Sequence, residues 1–223
     1  MGDLLILKPL PWIKYWMAKQ LREKMADLEN ICVYCGSGSG TDARYAQAAR
    51  TLGTAIGAAG LGLVYGGGSL GLMGETARAT LAAGGRVIGI IPEFLSEKER
   101  MLRDVDELIV VGDMHERKML MFKRADAFVA LPGGIGTLEE LVEQLTWSQL
   151  GQHGKPVIIA NIASFWSPFL ALLEHMRAQH FIREGLEVNF EVVTSAEEIV
   201  PAIQRIAEAR LGAADEALVA DKF

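Results

Sequence analysis

The chain has 223 residues, half of them hydrophobic, with 22 basic against 28 acidic side chains and a formal charge of −6. That length suits one α/β domain with a well-buried core and leaves little chain for a second. The apolar fraction excludes a disordered chain, the acidic balance excludes a surface built to grip nucleic-acid phosphates, and no apolar run of about 18 residues is present to cross a membrane.

Residues 1–29 carry Trp12, Ile13, Trp16, Met17, Leu21, Met25 and Leu28 at helical spacing, with Lys14, Lys19, Arg22 and Lys24 between them. The pattern predicts an amphipathic helical extension that packs on its own domain or on a twin subunit. From Ile31 onward, short apolar runs alternate with helical stretches. Strands are predicted near 31–35, 61–65, 86–91, 107–111, 126–131 and 156–160, with a weaker one near 190–193. Helices are predicted near 42–59, 71–84, 113–125, 137–150, 165–182 and 195–211, with Thr41, Asp113, Thr137 and Ser195 as caps. Such alternation produces a parallel sheet, and the near-continuous apolar runs Val87–Ile91 and Pro156–Ala160 suit strands buried on both faces. The expected architecture is a doubly wound α/β domain over residues 30–211, followed by a frayed tail over 212–223.

Cys32 and Cys35 have CxxC spacing. Redox chemistry needs the first thiol at a helix start, whereas Cys32 falls inside the first strand, so core packing is the reading. Two thiols are too few to cross-link this chain, and no apolar leader with a small-residue cleavage site is recognisable, so a cytoplasmic setting is expected.

In an open parallel sheet the ligand sits beyond the carboxyl ends of the strands. Three glycine-rich loops follow strands there: Gly36-Ser37-Gly38-Ser39-Gly40, Gly66-Gly67-Gly68-Ser69-Leu70-Gly71 and Pro132-Gly133-Gly134-Ile135-Gly136-Thr137. Glycine admits a ligand close to the backbone, and a helix start offers free N–H groups and a positive dipole end to a phosphate. A phosphorylated ligand is therefore predicted, with Ser37, Gly67, Gly68, Gly133, Gly134, Ile135, Gly136 and Thr137 as its contacts. The second loop also matches GxGxxG, and Glu93 follows the next strand, as a ribose-binding acid would in a dehydrogenase. Against that reading, the fingerprint follows the second strand instead of the first. No Walker lysine accompanies any of the loops.

On the helix opened by Asp113, the core-facing stripe of Met114, Met121, Phe122 and Ala125 includes Lys118 and has Arg117 at its edge. Cations at a helix start oppose the dipole, so either an anion holds them there or they snorkel into solvent. Glu139 and Glu140 lie about 100° apart on the next helix, so both cannot face one ligand atom. Thr137 and Glu140 have capping-box spacing, which leaves Glu140 as a structural cap or as a catalytic acid. The four histidines form no metal-ligand pattern, and no GxSxG elbow is present.

Taken in order, Gly66–Gly74, Met114-His115-Glu116-Arg117-Lys118, Pro132–Glu140 and Thr146-Trp147-Ser148-Gln149-Leu150-Gly151 resemble the LOG family of cytokinin riboside 5′-monophosphate phosphoribohydrolases, over Ile31 to about Ile182. The resemblance implies a Rossmann-like homodimer that cuts the N-glycosidic bond of a nucleoside 5′-monophosphate, releasing base and ribose 5-phosphate without a cofactor. It places the PGGxGTxxE motif on Pro132–Glu140, the catalytic pair on Arg117 and Glu140, and substrate contacts on Lys118 and the Gly134–Thr137 loop. The residues support that chemistry. Breaking a ribose–base bond builds positive charge on the sugar, which a carboxylate offsets. Arg117 stays charged, so its role is to hold phosphate or ribose oxygens and fix Glu140 rather than to donate a proton. A non-catalytic nucleotide or cofactor carrier is the second expectation, since the same loops bind phosphate without chemistry.

Overall fold

The computed structural model describes residues 28–96, 101–182 and 187–220. The first half of the chain forms β1 (Asn30–Tyr34), α1 (Ala43–Ala58), β2 (Gly62–Tyr65), α2 (Gly71–Ala82), β3 (Val87–Pro92), the single-turn α3 (Glu93–Ser96) and β4 (Glu107–Val111). The second forms α4 (Met114–Arg124), β5 (Ala127–Ala130), α5 (Ile135–Gln149), β6 (Val157–Ala160), a 3-10 turn (Ile162–Ser164), α6 (Ser167–Ala178), β7 (Glu191–Val193) and α7 (Ile199–Ala220). Every predicted strand and helix within these residues forms. Only α3 and the 3-10 turn are additions, each too short to carry a periodic apolar signal.

The seven strands make one parallel sheet in the order β4-β3-β2-β1-β5-β6-β7. The chain lays strands outward from β1 to β4, then returns to the other side of β1 for β5. The direction of winding therefore reverses between β1 and β5, and the loops that leave those two strands part there to open a crevice. Alternation along β1 divides the core. Ile31, Val33 and Cys35 face α1, α2 and α7, while Cys32 and Tyr34 face α4, α5 and α6. The two thiols are free, buried and on opposite faces of the sheet, so the CxxC spacing is core packing.

Helix starts differ from the sequence expectations in three places. Asp42, not Thr41, caps α1, its Oδ1 accepting from the Arg44 amide at 2.9 Å. Gly134 takes the cap position of α5, so the helix begins ahead of Thr137. Ahead of α7, which begins at Ile199, Glu198 Oε2 accepts from the amides of Thr194 and Ser195, both at 3.1 Å, so Ser195 lies in a preceding turn four residues before the helix. Asp113 caps α4 as expected: its Oδ1 accepts from the His115 and Glu116 amides, both at 2.8 Å. Those bonds hold its carboxyl below the usual range. Helix α7 continues past residue 211 to Ala220, so 212–220 is helical where a frayed tail was expected; its alanines, leucine and glutamate favour helix. The predicted N-terminal extension lies outside the described residues as far as residue 27. No helix among the described residues is long and apolar enough to cross a membrane.

Candidate active site

The three glycine loops meet at the carboxyl edge of the sheet. Pairing of β1 with β5 brings the Gly36 amide to Pro132 O at 3.1 Å, tying the first loop to the third. Gly36 O in turn accepts from the amides of Leu72 at 3.0 Å and Met73 at 3.4 Å, in the first turn of α2. The second loop faces segment 101–102: Gly67 O accepts from the Leu102 amide at 3.1 Å, and Gly68 forms an antiparallel bridge with Met101. Gly67 and Gly68, expected as ligand contacts, are thus buried against that segment, while Ser37 lies exposed at the rim.

The third loop is built differently. Gly134 has φ −86° and ψ −160°, an extended conformation that lets α5 begin at once with no side chain over its first turn. Leu138 N–H closes that turn onto Gly134 O at 3.0 Å. The preceding amides stand at the positive end of the helix, Ile135 is 82 % exposed, and nothing lies within 4 Å of where a Cβ on Gly134 or Gly136 would sit. A ligand can therefore approach this backbone. Gly133 has the opposite surroundings: a Cβ there would come within 2.2 Å of Oγ1 of the buried Thr137, so only glycine admits the threonine beneath the turn.

Because α5 starts early, Glu140 falls in its second turn, where it cannot cap the helix start; of the two roles left open by the sequence, the structural cap is excluded. Glu140 is 9 % exposed and faces α4. The Asp113 cap and a bond from the Gly112 amide to Glu116 Oε2 at 2.9 Å fix the first turn of α4, which phases Arg117, Lys118 and Met121 inward. Neither cation snorkels. Arg117 is 7 % exposed; its Nη2 donates to Gly66 O at 3.4 Å and stands 3.9 Å from Glu140 Oε1. Lys118 Nζ bonds Glu139 Oε1 at 2.5 Å and Glu143 Oε1 at 3.0 Å. Burial alone would lower the Lys118 pKa, but those two carboxylates outweigh it and hold it above its ordinary value. Lys118, expected to touch the ligand, thus serves as a tie between α4 and α5. Glu93, the ribose-binding acid of the dehydrogenase reading, is exposed at the first residue of α3.

Gly66 is part of this arrangement. A Cβ at residue 66 would lie 2.2 Å from Arg117 Nη2. Gly66→Ala is expected to push the guanidinium away from Glu140 and cut turnover about tenfold or more while the protein stays folded, read as kcat alongside a melting curve.

Burial pushes the Glu140 carboxyl up to about 7; Arg117 pulls it down, Glu139 pushes it up again, and smaller opposing effects come from Lys118 and Glu143. The folded state therefore binds this proton more tightly than the unfolded state. Below about pH 4.5 both states are protonated and nothing is lost. As pH rises from about 4.5 to about 7 the unfolded chain ionises first, and stability falls by about 3 kcal/mol, at 1.36 kcal/mol per unit. Glu140→Gln removes that slope. The melting temperature of the variant relative to wild type is expected to rise between pH 4.5 and 7 and to level off above; a constant difference would refute the burial argument.

Among the described residues no group of three or more His, Cys, Asp or Glu side chains is placed to hold a metal ion. The model of a family described as "possible lysine decarboxylase" matches residues 73–203. The cytokinin riboside 5′-monophosphate phosphoribohydrolase LOG of Oryza sativa subsp. japonica is 45 % identical over 186 residues, 80 % of this chain and 77 % of that one. The chain belongs to the LOG family. A LOG relative from Rhodococcoides fascians, named cytokinin riboside 5′-monophosphate phosphoribohydrolase, is 43 % identical over 177 residues, 79 % of this chain and 89 % of that one. A molybdenum cofactor binding protein from Rippkaea orientalis shares the fold, with TM-score 0.60 and 24 % identity over 81 % of this chain and 98 % of that one.

Within this LOG chain, the family match runs from the start of α2 into α7 and so includes both Arg117 and Glu140. The decarboxylase description fits the site poorly. A lysine that forms a Schiff base needs a lowered pKa, and the ion pairs of Lys118 raise its own. Gly66 escaped the sequence reading as an individual contact, since only its approach to Arg117 singles it out within its loop. Gln144, an amide at a core position between Leu141 and Leu145, breaks the apolar stripe of α5, and that is a signal the sequence does carry.

Proposed function

We propose that this protein hydrolyses the N-glycosidic bond of a nucleoside 5′-monophosphate, releasing the free base and ribose 5-phosphate. The observation that carries the reading is the buried Arg117–Glu140 pair, 3.9 Å apart, beside the uncapped start of α5. The 5′-phosphate docks on the backbone amides of Gly134, Gly136 and Thr137. As the C1′–N bond lengthens, its electron pair leaves with the base and positive charge grows on the ribose. The Glu140 carboxylate offsets that charge and takes a proton from the water whose oxygen bonds C1′. It releases that proton as the departing base takes one up, so that the water's hydrogens end on the sugar hydroxyl and on the base. A midpoint near 7 suits a group that must take and release a proton at neutral pH. Arg117 keeps the carboxylate in place and faces the sugar-phosphate oxygens.

The names of the relatives support a cytokinin nucleotide as substrate, with AMP as the unprenylated comparison. A homodimer in the cytoplasm completes the reading. The dimer is supported by Met119 of α4 and Val142 of α5, which leave apolar surface exposed, and the cytoplasmic setting by a chain that carries only two cysteines. Incubation with AMP and with N6-isopentenyl-AMP is expected to yield base and ribose 5-phosphate, separated by chromatography, and light scattering is expected to give twice the chain mass. Tight binding of both nucleotides without turnover would instead favour a carrier.

A further inference from the structure

One polar side chain beneath the site takes no part in the reaction just described. Gln144 lies one helical turn beyond Glu140, on the buried face that also carries Thr137, Leu141 and Leu145, and is 1 % exposed. Its main-chain oxygen bonds His153 Nε2 at 3.1 Å, but neither its amide nitrogen nor its amide oxygen has a hydrogen-bond partner. Two further atoms around Glu140 share that condition: Arg117 Nε on α4 and Glu143 Oε2 on α5.

A leucine at residue 144 would continue the apolar stripe with nothing to desolvate, whereas a buried amide persists only where its groups find partners. The unpartnered atoms are complementary in kind: Arg117 Nε donates, Glu143 Oε2 accepts, and the Gln144 amide does both. Residues four apart on a helix are neighbours on one face, with Cβ atoms about 5–6 Å apart, so the Gln144 amide and the Glu140 carboxylate leave the same buried side of α5. A buried water takes two to four such groups.

We propose that Gln144 is a positioning residue whose amide holds an ordered water against the Glu140 carboxylate and so fixes its orientation. The catalytic consequence rests on the hydrolase reading above, while the water site belongs to the ligand-free protein. The charged and titratable groups around Glu140 are Arg117 and Lys118 from α4, Glu139 and Glu143 from α5, Cys32 and Tyr34 from β1, and Cys35 just beyond it. Burial raises the Cys32 and Cys35 thiols and the Tyr34 phenol well above neutrality, so none of them titrates alongside Glu140. A water held on the carboxylate favours its charged form, and losing that water moves the Glu140 midpoint upward.

Gln144→Leu and Gln144→Met in the full chain test this. Carbon-13 NMR of the Glu140 carboxyl in ligand-free protein is expected to show the midpoint rising by about half a pH unit or more in both variants. Their melting temperatures should be unchanged or higher, because an apolar side chain fills the same space. With AMP, kcat should fall about tenfold with KM within about twofold. An unmoved Glu140 midpoint in both variants overturns the proposal, as does loss of the fold in both. A high-resolution crystal structure of the wild type with no water between Gln144 and Glu140 also overturns it. If wild type hydrolyses no nucleoside monophosphate, the hydrolase reading fails by itself, and the titration and the crystal structure still decide the role of Gln144.

Discussion

Replacing Glu140 by glutamine is expected to lower kcat for nucleotide hydrolysis by about 10²–10⁴-fold, with KM little changed. Glutamine keeps the shape of a side chain that is almost wholly buried, but it neither offsets charge on the sugar nor accepts a proton from water. The same reasoning fixes the pH dependence of the wild type. With the Glu140 midpoint near 7, the working carboxylate gains population as pH rises, so kcat should climb through neutrality and then level off. The variant should lose that limb along with its activity. Because it sheds the destabilisation worked out above, it should also melt higher than wild type at neutral pH, which separates lost chemistry from lost fold. Wild-type turnover of AMP by Glu140→Gln would end the mechanism.

Arg117→Ala should cost about 10²–10³-fold in kcat/KM. Two effects combine in that number. The guanidinium is the strongest influence that holds the Glu140 carboxyl down, so its removal drives the midpoint further up and shifts the rising limb of the pH–rate profile to higher pH. The phosphate or ribose contact is lost as well, and that part stays at every pH. Measuring kcat/KM from pH 6 to about 9 separates them: a parallel loss with an unmoved limb would show that Arg117 acts on substrate alone. Arg117→Lys should recover little, since an ammonium cannot bond Gly66 O and face Glu140 with the same planar fork.

The sheet was legible because parallel strands buried on both faces leave unbroken apolar runs, and Val87–Ile91 inside β3 is such a run. Lys118 was legible for the opposite reason, as a charge inside the apolar stripe of α4, with Arg117 marked only at the edge of that stripe. The cap of α5 was not. Rules for helix starts favour Ser, Thr, Asp and Asn, and they select Thr137, whereas the turn begins on Gly134, whose extended backbone needs no side chain. That shift turns Glu140 from a cap into an inward-facing acid. The ties of Lys118 were hidden too. Its partners stand 21 and 25 residues away on a helix whose approach to α4 is set by the sheet face on which both helices pack.

Hydrogen bonds at the helix starts limit what the crevice can accept. Asp42 takes the Arg44 amide of α1, Gly36 O the Leu72 and Met73 amides of α2, and Asp113 the His115 and Glu116 amides of α4, whereas no side chain takes an amide at the start of α5. The fold thereby counts valence as well as shape. Under the proposed reading, a single phosphoryl group finds one electropositive berth at the start of α5 and no second unclaimed set among those helices.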